Sequence, residues 1–183
     1  MLETTVYQRH ICHAVAGLFR VFTIFALMDD ERYMQMALEE AHKALERGEV
    51  PIGAVIVAGA KTGSSGSALA GGRVIARAHN LTETLNDPTA HAEMQAITMA
   101  TDYIGGKYLT GCTLYVTVEP CPMCGAALNW AQISRIVYGA DDPRRGYSLF
   151  SPSLIHPRTQ VTKGILSDEC AALMKDFFKA KRD

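Results

Sequence analysis

The chain has 183 residues, of which 48% are hydrophobic and 20% are charged. This length and composition fit one globular domain with a buried core, and they exclude a fibrous or largely disordered chain. The formal net charge of −1 excludes a strongly basic protein, so any contact with nucleic acid has to come from a local group of basic residues.

The first 28 residues differ from the rest of the sequence because they are mostly apolar. Arg20 interrupts this stretch, and a charge in the middle of a membrane span costs about 2.5–3.5 kcal/mol. The segment also offers a poor small-residue cleavage site for secretion. We therefore interpret residues 1–28 as a leader or extension, with Met28 as the natural start, and residues 29–183 as a single domain.

The globular pattern begins at Asp30 with a predicted helix. Asp30 is placed to cap its first turn, and Gly48 is placed to end it. Apolar residues recur between these positions at helical spacing, which predicts one buried face. The residues of that face are Met34, Ala37, Leu38, Ala41 and Leu45.

Two short runs after this helix predict a pair of strands. Residues 52–57 and 73–78 are rich in apolar residues, and we expect them to lie side by side. The stretch 58–72 between them is rich in Gly, Ser and Ala, and it is far longer than an ordinary hairpin turn. This composition predicts a flexible insertion.

Strands alternate with helices in the second half of the chain. Thr89 is placed to cap a helix over residues 90–103, which puts His91 and Glu93 in its first turn. A strand over residues 113–118 follows. The next helix begins at a proline, which suits a first helical position because its missing N–H would be unpaired there.

The remaining pattern completes the predicted sheet. That helix covers residues 122–132, strands are predicted over 133–139 and 160–163, and a last helix covers 167–181. The buried face of the last helix is predicted to hold Cys170, Leu173, Met174, Phe177 and Phe178. Together, the elements predict a three-layer α/β/α sandwich around a mixed five-stranded sheet.

Two motifs thirty residues apart carry the strongest chemical signal. His91 with Cys121 and Cys124 provides an imidazole and two thiols, which are typical Zn²⁺ ligands. Three protein ligands leave the fourth position open for a water, whose pKa Zn²⁺ lowers to about 7. Glu93 is not needed as a ligand and is free to move protons. His-x-Glu followed by Pro-Cys-x-x-Cys is the established signature of zinc-dependent nucleobase deaminases.

Both motifs are predicted at helix N-termini, where the helix dipole favours anions and therefore thiolates. The backbone N–H of Cys121 is a candidate donor to a developing oxyanion. A structural zinc site is the rival interpretation, but it needs a fourth ligand. His79 and His156 are the nearby candidates, and neither has a ligand-like spacing to the cysteines. A redox Cys-x-x-Cys pair would not account for His91 and Glu93.

From Met28 onward the chain resembles the bacterial tRNA-specific adenosine deaminases. These cytidine deaminase-like enzymes convert the wobble adenosine of a tRNA anticodon to inosine. The segments after Cys124 favour this tRNA-editing branch over the rest of the superfamily. The resemblance rests on residues 49–55, 86–94, 114–124, 133–140, 163–166, 168–173 and 177–178.

The resemblance implies that His91, Cys121 and Cys124 bind one zinc ion per subunit and that Glu93 is the proton shuttle. It also implies a set of contacts with the substrate nucleotide. Asn80 and the backbone of Ala92 would contact the flipped base, Pro51 and Ile52 would line its pocket, Asp142 would contact the sugar region, and Arg144 and Arg145 would contact phosphates. Asn80 and Asp142 alone would be ordinary turn residues.

The resemblance further implies a homodimer that binds the tRNA anticodon stem-loop. The expected thiolate ligands favour a reducing compartment, which we take to be the cytoplasm, and no membrane partner is expected. Two other functions stay open at this point. One is deamination of a free purine base such as guanine, whose enzymes have a similar motif. The other is a zinc protein that binds RNA without catalysis, which Glu93 would distinguish because such a protein does not need a proton shuttle.

Overall fold

The structure, a computed structural model, describes residues 29–59, 72–150 and 154–182. The predicted leader, residues 1–28, lies outside the described residues, as do residues 60–71 of the predicted insertion. Within the described part, no helix combines the length and the apolar character needed to cross a bilayer.

The described elements include every helix and strand that the sequence predicts between residues 29 and 182, in the predicted order. Their bounds follow in chain order. They are α1 (residues 29–46), β1 (Gly53–Ala58), β2 (Arg73–His79), α2 (Thr82–Leu85), α3 (Ala92–Ile104), β3 (Cys112–Val118), α4 (Pro122–Trp130), β4 (Arg135–Ala140), a 3-10 turn (Tyr147–Leu149), β5 (Gln160–Lys163) and α5 (Ser167–Ala180).

The five described strands form one mixed sheet in the order β2-β1-β3-β4-β5. Strand β1 pairs antiparallel with both β2 and β3. Strand β4 is parallel to both β3 and β5. Parallel neighbours need a crossover connection, which α4 provides between β3 and β4. The predicted mixed five-stranded sheet is therefore confirmed.

Helices cover both faces of this sheet, because successive strand residues point to opposite sides. Ile56 and Leu114 pack with the buried residues of α3 and α4. Their neighbours Val55 and Tyr115 pack with those of α1 and α5 on the other face. The molecule thus has the three layers that the sequence predicts.

Gly53, the first residue of β1, allows helix α1 to approach the sheet closely. A Cβ atom at this position would overlap the backbone oxygen of Ala37 and lie 2.5 Å from the backbone nitrogen of Ala41. Only glycine fits such a backbone contact without displacing the helix. The contact brings the start of β1 against α1.

Two predicted helix caps are wrong. Residues 29 and 30 are already helical, and the buried carboxylate of Asp30 binds the guanidinium of Arg135 instead. Helix α3 begins at Ala92 with His91 as its N-cap residue. Thr89 does not cap it, because its hydroxyl and its N–H both donate to the Asp87 carboxylate in the preceding turn.

Other predicted boundaries and buried faces differ in detail. Helix α4 ends at Trp130, and β4 begins at Arg135, because the left-handed φ of Gln132 (53°) turns the chain between them. Cys170 and Phe177 are buried as predicted, whereas Phe178 and Leu45 are exposed. The sequence patterns also did not predict the short helix α2.

Candidate active site

The predicted metal ligands come together where α3 and α4 begin. His91 and Cys121 are the N-cap residues of these two helices, both in extended conformation. Cys124 lies in the first turn of α4, after Pro122 at the first helical position. Strand β3 ends just before the Pro-Cys turn that leads into α4. The N-terminus of α3 lies beside this turn, because the side chains of His91 and Cys121 are 3.7 Å apart.

The three side chains have the spacing of zinc ligands. The Nδ1 atom of His91 lies 3.7 Å from the Sγ atom of Cys121 and 3.5 Å from that of Cys124. All three ligand atoms lie within 4.8 Å of one another. Around a tetrahedral Zn²⁺ with ordinary bond lengths, a nitrogen and a sulfur are about 3.6 Å apart. The arrangement therefore fits this ion.

The two thiols differ in their affinity for a proton. A hydrogen bond from Cys124, supported by His91, lowers the pKa of Cys121 to about 4. The same hydrogen bond, together with burial, raises the pKa of Cys124. A thiolate is the form that binds a metal, so the Cys121 sulfur is prepared for a cation.

Glu93 lies beside this cluster as a buried carboxylate with one free oxygen. Its side chain is only 3% exposed, and within the described structure its Oε2 atom has no hydrogen-bond partner. Burial, with a smaller contribution from the charge of Cys121, raises the pKa of Glu93 to about 7. A buried carboxyl oxygen without a partner is costly unless a ligand uses it.

The histidines considered as a fourth ligand lie elsewhere. The Nδ1 atom of His79 is 3.2 Å from the Glu40 carboxylate, and that of His156 accepts a hydrogen bond from the N–H of Arg158. Among the described residues, the cluster of possible ligands holds only the three predicted side chains. This favours an open site over a closed structural one.

The residues expected to contact the base form a neighbouring wall. The N–H of Asn80, at the end of β2, donates to the carbonyl of Ile52 (3.1 Å). The N–H of Leu81 donates to the carbonyl of Ala90 (3.0 Å), next to the predicted ligand His91. Pro51, Asn80 and Ala92 are buried, and Ile52 is half-buried. These residues therefore converge near the predicted metal ligands.

The expected sugar and phosphate contacts lie on the loop after β4. The Asp142 carboxylate accepts hydrogen bonds from the N–H groups of Arg144 (2.9 Å) and Arg145 (3.0 Å). It therefore stabilises the turn that carries both arginines. The side chains of Arg144 and Arg145 are exposed, and their charges are available to a ligand.

Two buried carboxylates that the motifs did not single out hold the expected substrate contacts in place. Glu119 accepts hydrogen bonds from the N–H groups of Asp142 (3.1 Å) and Ser148 (3.1 Å). It therefore connects the loop that carries the two arginines to the turn before Cys121. Glu49 accepts a hydrogen bond from the Asn80 amide (3.0 Å). Each lies close to a proline, in Glu-Val-Pro and Glu-Pro-Cys, and this was the available sequence signal.

Comparison with known proteins identifies the family. A model of the MafB19-like deaminases matches residues 28–182. A curated tRNA-specific adenosine deaminase of Agrobacterium fabrum (strain C58) is 44% identical over 155 residues, which cover 82% of this chain and 94% of the relative. The chain belongs to the tRNA-specific adenosine deaminase family.

Solved structures agree with this membership. One, from studies of A-to-I editing by tRNA:A34 deaminases at the wobble position of transfer RNA, is 43% identical with a TM-score of 0.66. The match covers 78% of this chain and 98% of that one. Guanine deaminase from Bacillus subtilis is 31% identical with a TM-score of 0.52, covering 83% of this chain and 92% of that one. The chain therefore has the cytidine deaminase-like fold of these deaminases.

Proposed function

We propose that this family member is a zinc-dependent hydrolase that converts the wobble adenosine of a tRNA anticodon to inosine. The single observation that carries the proposal is the placement of Glu93. Its carboxylate is buried beside His91, Cys121 and Cys124, and its Oε2 atom has no protein partner in the described structure. A structural zinc site does not need such a group, whereas proton transfer does.

In this mechanism His91, Cys121 and Cys124 would hold the ion. Zn²⁺, when bound, supplies the Lewis acid that makes water nucleophilic near neutral pH. Glu93 accepts the proton of the attacking water as its oxygen bonds to C6 of adenine. The same carboxyl group delivers that proton to the ring nitrogen. It then takes a second proton from the hydroxyl now on C6 and passes it to the amine, which leaves as ammonia while C6 becomes a carbonyl. The backbone N–H of Cys121 would stabilise the oxyanion that develops on the substrate.

The substrate contacts belong to the proposal as well. Asn80 and the backbone of Ala92 would bind the flipped base, and Pro51 with Ile52 would line its pocket. Enzymes of this chemistry take the base out of its stack before reacting with it. The anticodon stem-loop would lie across the loop of Asp142, where the neighbouring basic side chains would contact its phosphates. Those side chains are Arg144 and Arg145.

We also propose that the protein forms a homodimer through the outer faces of α3 and α4. Large apolar side chains are exposed there, and Trp130, at the end of α4, is 85% exposed. Tyr108 is exposed on the same side. Such a patch is typical of an interface. Sedimentation should give a dimer that Trp130→Glu dissociates, and a monomeric native protein would contradict this.

We further propose that the protein is located in the cytoplasm, because metal-binding thiolates favour a reducing compartment.

Deamination of free guanine is the second candidate, since the chain also resembles a guanine deaminase at lower identity. One assay separates the two. Purified protein is incubated with an anticodon stem-loop RNA and, separately, with free guanine, adenosine and cytidine, and products are measured by mass spectrometry. The proposal predicts inosine in the RNA. Turnover of guanine with unchanged RNA would overturn it, and a bound but unchanged RNA would indicate a non-catalytic RNA-binding protein.

A further inference from the structure

Glu49 is a fully buried carboxylate outside the metal cluster. It lies between α1 and β1 with an exposed fraction of 0%. None of the ion pairs between described residues involves it. Burying a carboxylate is costly unless it is paired or well hydrogen-bonded, so the groups that surround Glu49 explain why it is there.

Four neutral donors converge on this carboxylate. Its Oε2 atom accepts from the amide nitrogen of Asn80 (3.0 Å), the hydroxyl of Thr82 (3.3 Å) and the N–H of Glu83 (3.1 Å). Its Oε1 atom accepts from the N–H of Thr84 (2.7 Å). Glu49 therefore joins the start of helix α2 to the side chain of Asn80.

This network leaves only one orientation for the Asn80 amide. An ionised carboxylate has no donor, so the Asn80 group that faces Glu49 must be the NH₂ group. The second hydrogen of that NH₂ group goes to the Thr82 hydroxyl (2.9 Å), which in turn donates its own hydrogen to Glu49. Both amide hydrogens are therefore used, and the amide oxygen is the end that remains for a ligand.

We propose that Glu49 is a positioning residue that fixes the Asn80 amide with its oxygen toward the substrate nucleotide. The inference rests on the proposed function for the identity of that nucleotide. A fixed acceptor selects an N–H or O–H donor, which on an adenosine is the amino group of the base or a ribose hydroxyl. A site built around such an acceptor discriminates strongly against a ligand that lacks the donor.

A reciprocal exchange of side chains tests this orientation. In Glu49→Gln the side chain at position 49 can donate as well as accept, so the Asn80 amide can bind it in either orientation. This variant should lower kcat/KM on the stem-loop by about ten- to a hundredfold. Asn80→Asp places two carboxylates face to face and should lower it at least as much. In the double variant, the introduced glutamine amide donates to the introduced aspartate, which again presents an oxygen to the nucleotide. We expect kcat/KM within about tenfold of wild type.

Rescue by the double variant is the result that a purely structural role would not produce. If the two losses multiply, or if the double variant is worse than Asn80→Asp alone, the proposal is wrong. If Glu49→Gln does not fold, the double variant compared with Asn80→Asp still decides. Glu46→Gln, an exposed position on α1, is the matched control and should leave kcat/KM unchanged. Repeating the rescue with 2′-deoxyadenosine at the reacting position identifies the donor. Rescue is lost if the donor is the ribose hydroxyl, and it is kept if the donor is the amino group of the base.

A second readout does not depend on activity. Urea unfolding of the wild type, both single variants and the double variant gives the coupling between positions 49 and 80. We expect the double variant to be more stable than the two single variants predict together. Absence of coupling would contradict the orientation mechanism. Coupling in a protein that does not edit RNA would instead contradict the proposed function alone.

Discussion

The carboxylate of Asp30 in helix α1 binds the guanidinium of Arg135 in strand β4 through both of its oxygens, at 2.8 and 2.7 Å. The hydroxyl of Tyr115 donates to the same carboxylate at 2.8 Å. The Asp30 side chain is only 5% exposed. This buried ion pair, between residues 105 positions apart in the sequence, joins α1 to the sheet.

Removing Asp30 should therefore destabilise the protein strongly. Asp30→Ala leaves the Arg135 charge and the Tyr115 hydroxyl without their partner, which should cost about 3 kcal/mol of unfolding free energy. Glu39→Ala is the control, because Glu39 pairs with Arg77 at a similar distance but is 62% exposed; it should cost less than about 1 kcal/mol. Urea unfolding measures both. Equal losses would contradict the role of the buried pair.

Gly146→Ala should impair RNA binding without removing the metal. A Cβ atom at Gly146 would overlap the carboxylate of Glu119, which holds the loop that carries Arg144 and Arg145. We expect KM for the stem-loop to rise about tenfold or more, since misplacement of positioning groups is costly. Gly106→Ala, which meets no atom within 4 Å, is the control. Normal RNA affinity in Gly146→Ala would exclude a role of this loop in binding.

Stability should depend on acid through Glu49. Burial raises the pKa of Glu49, but hydrogen bonds from the N–H groups of Thr84 and Glu83 outweigh it, and the pKa lies below its ordinary value. A lowered folded-state pKa contributes stability that is complete above the unfolded value, about 4.3, and is lost as the pH falls through the folded value. The stability difference between wild type and Glu49→Gln should thus shrink in acid. A difference that grows between about pH 7 and about pH 3 would contradict this.

The sequence predicted the metal cluster because its chemistry is local. His91 and Glu93 share one motif, Cys121 and Cys124 share another, and both motifs begin helices. The five strands and the two covered faces of the sheet followed from the spacing of apolar residues, which is also a local property. These parts of the fold could therefore be predicted from the sequence alone.

The errors and omissions arose where contacts with other residues decide. Asp30 has the residue type of a helix cap, but Arg135 binds it from another element. Thr89 is also a typical helix-cap residue, but its hydroxyl donates to the Asp87 carboxylate in a turn. Glu49 and Glu119 were missed because their partners are mostly backbone N–H groups. The neighbouring prolines were a sequence signal, but they do not specify such contacts.

The proton shuttle is the central claim, and Glu93→Gln tests it most directly. The variant keeps the shape of the side chain and all three predicted ligands. Zinc content and inosine formed in an anticodon stem-loop should be measured on the same preparations of wild type and variant. We predict about one zinc ion per subunit in both proteins and a loss of turnover of at least about a hundredfold in Glu93→Gln. Undiminished inosine formation by the variant would contradict the account.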